Sequence, residues 1–410
     1  MRKLIILLLI SMLLESCGQP IPLSPISGSP TPNSSPVPTQ FSLGSCTDAR
    51  QPTPNPNEIS LFPSVASNEH ILGHVDSFVT ILVYSDFQCT ACARLAALLK
   101  SFVEKYPADV RVVFRHFPLE TLHDKAALAA QSAEAAARQG KFWEMHDLLF
   151  AKQAEWQDLN SADFRKWVVE QSKTIEVEPS RFETDLTSTA IVSIVQKAWD
   201  DGQNIKLPGA PVILVNGEIM KWQVNLFDQL EGFVLLALLP KKQFSSCPPV
   251  VIALQKQYIA RLRTSRGEVT IKLFPDKAPN TVNNFIFLAK NGWYNNIPFY
   301  SVISGFIVQT GDPTGTGLGG PGYFIPNEKN TSILYDRAGM VGMTNSGPDT
   351  NGSNFFITLA PAPHLNHDYP IFGEVISGMG VLAELLPRNP SNTPILTQPD
   401  MLFNISIEEK

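Results

Sequence analysis

Cys89-Thr90-Ala91-Cys92 is the segment of this 410-residue chain best equipped for covalent chemistry. Two thiols three positions apart can pass between dithiol and disulfide, and the thiolate is the nucleophile in that exchange. The same spacing also offers half of a zinc site, which needs two more ligands. No second C-x-x-C and no H-x₃₋₅-H follows in the sequence, and His116 and His123, seven apart, read as surface or loop residues. A purely structural disulfide across four residues is strained and makes a poor staple. Redox chemistry is therefore the first expectation, with neither metal nor cofactor required.

The flanking residues say how such a site would be held. Phe78 to Tyr84 (F-V-T-I-L-V-Y) is an apolar, β-branched run of strand length. Ala93 to Tyr106 has helical spacing at Leu95, Leu98, Leu99, Phe102 and Val103. Cys89 then falls at a helix N-terminus, where free N–H groups and the positive dipole end stabilise a thiolate. Cys92, one turn on, is placed to attack a mixed disulfide on Cys89. Ala126 to Ala137 is alanine-rich, Phe142 to Val169 has helical spacing, and Val224 to Leu239 would form a closing helix.

Ser85-Asp86-Phe87-Gln88-Cys89, Val110 to Leu119 (V-R-V-V-F-R-H-F-P-L) and Gly140 to Leu149 (G-K-F-W-E-M-H-D-L-L) together resemble the DsbA-like proteins of the thioredoxin fold. A further motif agrees: Gly209-Ala210-Pro211 stands before Val212 to Gly217, a strand and its turn. The resemblance implies an α/β thioredoxin fold with a helical insertion. It also implies a cis-proline at Pro211 facing the C-x-x-C and a neighbour, Ala210, that contacts substrate backbone. An ordinary strand-initiating proline is the other reading of Pro211. Thr90-Ala91 matches neither the Pro-His of strong oxidants nor the Gly-Pro of reducing thioredoxins, so the redox direction stays open.

From Tyr258 onward the texture changes to short strands and frequent glycines, the pattern of a β-barrel or sandwich. Gly267 to Phe274, Ala278 to Phe285, Gln309 to Pro313, Asn351 to Ile357 and Ile371 to Val375 resemble cyclophilin. That resemblance implies an all-β eight-stranded barrel with two helices that catalyses X-Pro cis/trans isomerisation. It assigns Phe306, Ile307, Phe356 and Leu365 to an apolar proline pocket. Gln309, Thr344, Asn345 and Asn354 fall to the peptide groove, and His364 and Tyr369 take substrate-binding slots that the family fills with Trp or His and with His or Tyr. The family's Phe-His-Arg-Val-Ile-Pro-Gly-Phe, whose arginine is its principal catalytic group, stands here as Phe299-Tyr300-Ser301-Val302-Ile303-Ser304-Gly305-Phe306. Ser301 cannot supply a fixed guanidinium, so weakened turnover is expected unless Arg337 or Lys329 fills the gap.

Residues 1–17 read as an export signal: Arg2-Lys3, an apolar run from Leu4 to Leu14, then Leu14-Glu15-Ser16-Cys17. The last four resemble a bacterial lipobox, with Glu15 a departure. This makes Cys17 a candidate for lipidation, ordinary secretion being the alternative. Residues 18–66 carry 11 of the 33 prolines and no hydrophobic periodicity, the composition of a solvated tether. The expected organisation continues with a DsbA-like domain over 67–242, a linker over 243–256 and a cyclophilin-like domain over 257–410. With Cys17, Cys89 and Cys92 assigned, Cys46 and Cys247 are the remaining two of five cysteines, an expected structural disulfide in an exported chain.

Composition bounds the rest. The 32 Lys and Arg against 38 Asp and Glu, net charge −6, leave no basic footprint for nucleic acid. The 44% hydrophobic content excludes wholesale disorder. The expected partners are unfolded or exported polypeptides with Cys and X-Pro segments, an unknown membrane redox partner, and the membrane itself through a lipid anchor.

Overall fold

The structure is a computed structural model and describes residues 42–49, 62–66, 68–220, 226–329, 332–389 and 398–410, with the backbone alone for 226–229. Cys17, the signal-peptide reading and most of the expected tether lie outside the described residues. Among those described, no helix is long and apolar enough to cross a membrane.

After a short strand β1 (Thr47–Asp48), the first domain runs β2 (His70–Leu72), β3 (Val79–Ser85), α1 (Thr90–Lys105) and β4 (Val110–His116). Six helices follow: α2 (Ala126–Ala137), α3 (Phe142–Ala151), α4 (Gln153–Trp156), α5 (Ser161–Ser172), α6 (Pro179–Leu186) and α7 (Thr189–Asn204). Then come β5 (Val212–Val215), β6 (Glu218–Ile219) and α8 (Leu226–Leu238). The sheet order is β2-β4-β3-β5-β6, with β3 and β4 parallel and the other pairs antiparallel. A parallel pair needs a crossover, and α1 supplies it. β3 is buried along nearly its whole length, as a central strand covered on both faces must be. α1 turns Cys92, Leu95, Leu99 and Phe102 inward at spacings of three and four. The small side chains of α2 let that helix be buried on most of its surface, and Phe142, Met145 and Leu149 of α3 join it in one core.

The second domain runs β7 (Tyr258–Thr264), β8 (Gly267–Leu273), α9 (Pro279–Lys290), β9 (Ile297–Pro298), β10 (Ser301–Ile303), β11 (Ile307–Thr310) and β12 (Tyr323–Phe324). It continues with β13 (Met340–Met343), β14 (Phe355–Thr358), β15 (Ile371–Ser377), α10 (Met379–Ala383) and β16 (Met401–Glu409). Nine strands form one antiparallel sheet in the order β10-β11-β14-β13-β15-β8-β7-β16-β9. β9 and β10 lie at opposite ends of that order yet are neighbours in the chain, so the sheet curls until its ends meet. Taken as one bent strand, they reduce nine segments to the eight expected. Val269, Ile271, Leu273, Phe285, Phe355 and Phe372 fill the interior. The start of α9 has Pro279 in its first turn, and the Glu328 carboxylate accepts the Asn280 and Thr281 N–H groups, each at 2.8 Å.

Two segments read from sequence as tether and linker belong to this second domain. β1 pairs with β12, and Gly44 N donates to Asn280 Oδ1 at 2.8 Å. The linker residues 243–253 follow the same surface, as do 239–242, read from sequence as the end of the first domain: Lys242 Nζ donates to the Trp293 carbonyl at 3.0 Å and Val251 N to Asn283 Oδ1 at 2.7 Å. Leu239 and Ile252 are buried in the barrel core, with Leu43, Phe244 and Val251 packed against it. Apolar side chains at these positions gain more from barrel contact than from water, which overrides the proline-rich look of the sequence around them. A disulfide joins Cys46 to Cys247 across a sequence separation of 201. It fastens the two strands of chain entering and leaving the first domain to the barrel, instead of spanning the ends of the thioredoxin-type domain itself. Chain-entropy arithmetic for so long a loop gives about 5 kcal/mol, and native disulfides typically contribute about 2–5 kcal/mol. Cys46→Ser with Cys247→Ser should therefore lower the barrel's unfolding free energy by about 2–5 kcal/mol. Chemical denaturation checks this, and an unchanged midpoint would count against the staple.

Candidate active sites

The thiol site is built where β3 hands over to α1. Cys89 is the N-cap of α1, and its Sγ accepts the Cys92 N–H at 3.3 Å, the task usually given to Ser, Thr, Asp or Asn. Both cysteines are free thiols; Cys89 is 8% exposed and Cys92 1%. The Ala210–Pro211 peptide bond is cis, and the Ala210 carbonyl lies 3.6 Å from Cys89 Sγ. The loop before β5 thus meets the thiols across the sheet end, bringing together residues more than a hundred positions apart in sequence. The Cys92 thiol hydrogen bond lowers the Cys89 pKa from 9.0 to about 7, helped by the Cys92 and Ala91 backbone and opposed by burial and Asp86. Burial, with Cys89 adding to it, pushes the Cys92 thiol far up. One cysteine is therefore an ionised nucleophile near neutral pH and the other a protonated reserve.

This asymmetry has a measurable consequence. The rate of Cys89 alkylation should titrate with a midpoint near pH 7; a rate still climbing steeply towards pH 9, as for an ordinary thiol, would contradict it. The sign for stability follows. The reduced fold gains stability as pH rises from about 7 towards 9, and that contribution is lost as pH falls through the folded-state value.

His116, expected on the surface or in a loop, is a buried strand residue, and His123 is a loop residue as expected; both are structural partners of this site. His116 closes β4 at 4% exposure, because its strand position points it into the core beside Phe87 and Phe114. His123 Nδ1 lies 2.9 Å from the buried Asp86 carboxylate, which also accepts Gln88 N at 2.7 Å and Leu119 N at 2.8 Å. His70, His116 and Glu134 bring three ligand-type atoms within 4.8 Å of one another. Both Nε2 atoms meet the same Glu134 oxygen, at 2.7 and 2.9 Å. Burial would raise the Glu134 pKa, but the two imidazoles outweigh it and hold the carboxyl well below its usual range. His116 Nδ1 is buried without a partner, whereas a metal-ligating imidazole keeps its second N–H on an acceptor. The cluster is a hydrogen-bonded support for the sheet end and a poor metal site.

The second site lies on β11 and its neighbours. Ser301, Gln309 and Phe356 are successive cross-strand partners on β10, β11 and β14, so they form a row on one face of the sheet. Ile307 and Phe356 are buried with Tyr335, Met340, Ala362 and Ile371, and Phe306, Leu365 and Tyr369 pack against them. His364 is exposed and stacks on Phe306 at 5.3 Å, while Phe356 meets Tyr369 edge-on at 5.6 Å. The result is an apolar floor beside a row of polar groups. Tyr335, 0% exposed and tilted against Phe356 at 5.4 Å, supports that floor and was not foreseen from sequence, since a lone tyrosine in a loop carries no pattern.

The polar side of the groove is fixed by backbone. Gly311 has φ +108°, and a Cβ there would lie 2.3 Å from the Ser353 carbonyl. Only glycine lets these two loops touch. Thr344 Oγ1 donates to the Asn354 carbonyl at 2.9 Å and Asn345 Nδ2 to the Asp368 carbonyl at 3.1 Å. Asn354, expected in the groove, spends its amide on the Gly317 and Gly319 carbonyls at 3.1 and 3.2 Å, so it holds a loop. The buried Asp312 carboxylate organises the same loop through Thr314 N, Thr316 N and Gly319 N.

The family model "Cyclophilin type peptidyl-prolyl cis-trans isomerase/CLD" matches residues 259–405. Peptidyl-prolyl cis-trans isomerase-like 1 of Aspergillus fumigatus is 46% identical over 137 residues, which cover 32% of this chain and 85% of that protein. The chain belongs to the cyclophilin family. Its cyclophilin domain is also 46% identical over 146 residues to peptidyl-prolyl cis-trans isomerase-like 2 of Rhizopus delemar, of which the match spans 27%. A crystal structure of a Cryptosporidium parvum cyclophilin type peptidyl-prolyl cis-trans isomerase is 38% identical, covering 37% of this chain and 98% of that one, with a TM-score of 0.35. A thioredoxin family model matches residues 66–234, so the cyclophilin domain follows a thioredoxin-like domain in one chain.

Within the cyclophilin groove, Ser301 is 3% exposed and stands beside Gln309. Arg337, one candidate to replace the missing cation, pairs with Asp336 at 2.8 Å and Glu374 at 2.9 Å. Lys329, the other, is exposed. The structure adds a third: Arg388, whose backbone exchanges hydrogen bonds with Val302, next to Ser301. Sequence reasoning missed it because β11 to β15 and α10 all lie between the two positions in the chain.

Proposed function

We propose that this chain is an exported protein-folding factor with two sites. Its DsbA-like thioredoxin domain exchanges disulfides through Cys89 and Cys92, and its cyclophilin barrel binds X-Pro segments of the same polypeptides. The observation that carries the redox half is Cys89 at a helix N-cap, ionised near neutral pH, 3.6 Å from the carbonyl of a cis Ala210–Pro211. Disulfide reshuffling and prolyl isomerisation are both slow steps for a secreted chain, and joining the sites raises the local concentration of one substrate at both. Either redox direction fits the dithiol, and a membrane redox partner would set it. Lipidation at Cys17 would hold the molecule at a membrane.

A second reading concerns the barrel. Ser301 in the catalytic row favours a domain that grips X-Pro peptides but turns them over slowly. A paired assay separates the readings: dithiol exchange with a Cys89→Ser control, and X-Pro isomerisation on the same preparation. Exchange without isomerisation, together with peptide binding, supports the binding-barrel reading. Full isomerase turnover removes it.

A further inference from the structure

Cys92 poses a problem that the geometry of Cys89 does not solve. To resolve a mixed disulfide, the Cys92 thiol must lose its proton, yet it is 1% exposed and bulk water does not reach it. When Cys89 is itself in a mixed disulfide it carries no charge, so its repulsion vanishes and burial remains the barrier. A buried base is needed.

A narrow cavity behind the thiols is lined by Cys92, Ser85, His146, Asp147 and Lys100 among apolar side chains, with room for about one water molecule. The other buried acids near the site are committed. Asp86 accepts from Gln88 N, Leu119 N and His123, and Glu134 is held by His70 and His116. Lys100 is kept charged by Asp147, 2.5 Å away, and so cannot accept a proton. His146 differs from all of these. Its Nδ1 meets Asp147 Oδ1 at 3.0 Å, and among the described residues no partner takes its Nε2. Phe114, Trp143 and Phe150 pack around the ring with centroids 4.9–5.0 Å away, which fixes its plane.

We propose that His146, oriented by Asp147, is the base that takes the proton of Cys92 across this cavity. The inference rests on the disulfide-exchange reading and deepens it. In the reducing direction, the Cys89 thiolate attacks a polypeptide disulfide. A Cys89–sulfur bond forms, the substrate S–S bond breaks, and one substrate thiolate leaves. Cys92 then gives its proton to His146 Nε2, and its sulfur attacks Cys89. The enzyme disulfide forms, the bond from Cys89 to the substrate breaks, and the second substrate thiolate leaves with that electron pair. The enzyme is oxidised, the substrate reduced, and His146 returns its proton to solvent. The oxidising direction is the same path reversed. Burial keeps the imidazole neutral and able to accept. The imidazolium that forms gains from Asp147 and is opposed by Lys100 and His116, the charged or titratable groups facing it from α1 and β4. An acid that holds an imidazole tautomer and steadies its cation is the arrangement that serves nucleophile activation elsewhere.

The aromatic disulfide of thionitrobenzoate reads the two steps separately in the full chain. Cys89 attack releases a first thionitrobenzoate, and Cys92 attack on the mixed disulfide releases a second. His146→Gln should leave the first release at the parent rate. It should slow the second by about a hundredfold at neutral pH, with recovery as pH rises and hydroxide substitutes for the base. Asp147→Asn, at a half-exposed position, should slow the second release by a smaller factor with the same pH dependence. A second release at the parent rate in both variants, or in Asp147→Asn if His146→Gln does not fold, overturns the assignment while leaving exchange intact. No first release from the parent protein overturns exchange itself.

Discussion

Cys89→Ser should abolish disulfide exchange, a loss of at least about a thousandfold, or about 4 kcal/mol of barrier. The magnitude follows from the division of labour between the two thiols. Cys89 carries the ionised sulfur, held near pH 7 by Cys92 and the N-terminal turn of α1. A serine hydroxyl in the same cap would keep the helix start but supply no nucleophile at that pH. Cys92→Ser should behave differently. Cys89 still attacks, the mixed disulfide accumulates, and mass spectrometry of the unreduced protein finds substrate attached at Cys89. If instead Cys89→Ser keeps more than a few per cent of parental exchange, the site at the start of α1 is not the redox centre.

The second large effect is a gain. Ser301→Arg should raise turnover on an X-Pro peptide by about a hundredfold to a thousandfold, the range seen when one preorganised electrostatic donor is added or lost. Isomerisation has a barrier of about 18–20 kcal/mol set by amide resonance. A pocket lowers it by gripping the proline ring and favouring the twisted amide with donors. Phe306, Ile307, Phe356 and Leu365, the residues that would supply that grip, lie in one apolar cluster. The donor is absent from Ser301, whose neighbours across the strands are Gln309 and, one strand on, Phe356. An arginine at 301 would start from a nearly closed position, so its long side chain has to run along the row of groups beside it. Turnover at the parental level in Ser301→Arg, with peptide affinity retained, would show that this position does not limit the barrel. Arg388→Ala in both backgrounds then tests whether the arginine tied to Val302 already serves.

Local chemistry was readable without a structure. The β-branched run from Phe78 to Tyr84, the C-x-x-C after it and the helical spacing from Ala93 are all short-range patterns, and each lies in the element it suggested. Gly311 and Ser353 belong to two motifs seen separately in the sequence; the structure shows why both exist, since the backbones touch where a side chain would stand. Misreadings arose where side-chain fate depends on distant chain. His116 looked like a loop histidine because nothing nearby in sequence says that α2 will set Glu134 against it. Asn354, placed in the groove by resemblance, also holds the 317–319 backbone through its amide, a contact that nothing near it in the sequence announces. Residues 42–49 and 243–253 looked like connecting chain because their composition is that of connecting chain. Their few apolar side chains find the barrel, and a disulfide secures them there.

Residue types and their spacing thus pointed to the dithiol, and the two family resemblances implied the order of the domains and an arginine where Ser301 stands. These depend on contacts within a few turns or on motifs whose identity survives in linear form. Tertiary structure alone decided how deeply each thiol is sealed, which histidine shares a cavity with Cys92, and that the thioredoxin-like domain leaves and re-enters the barrel's surface through stapled segments. Those outcomes are set by burial and by partners well separated along the chain, His146 for Cys92 and Cys247 for Cys46, and desolvation has no signature along a sequence.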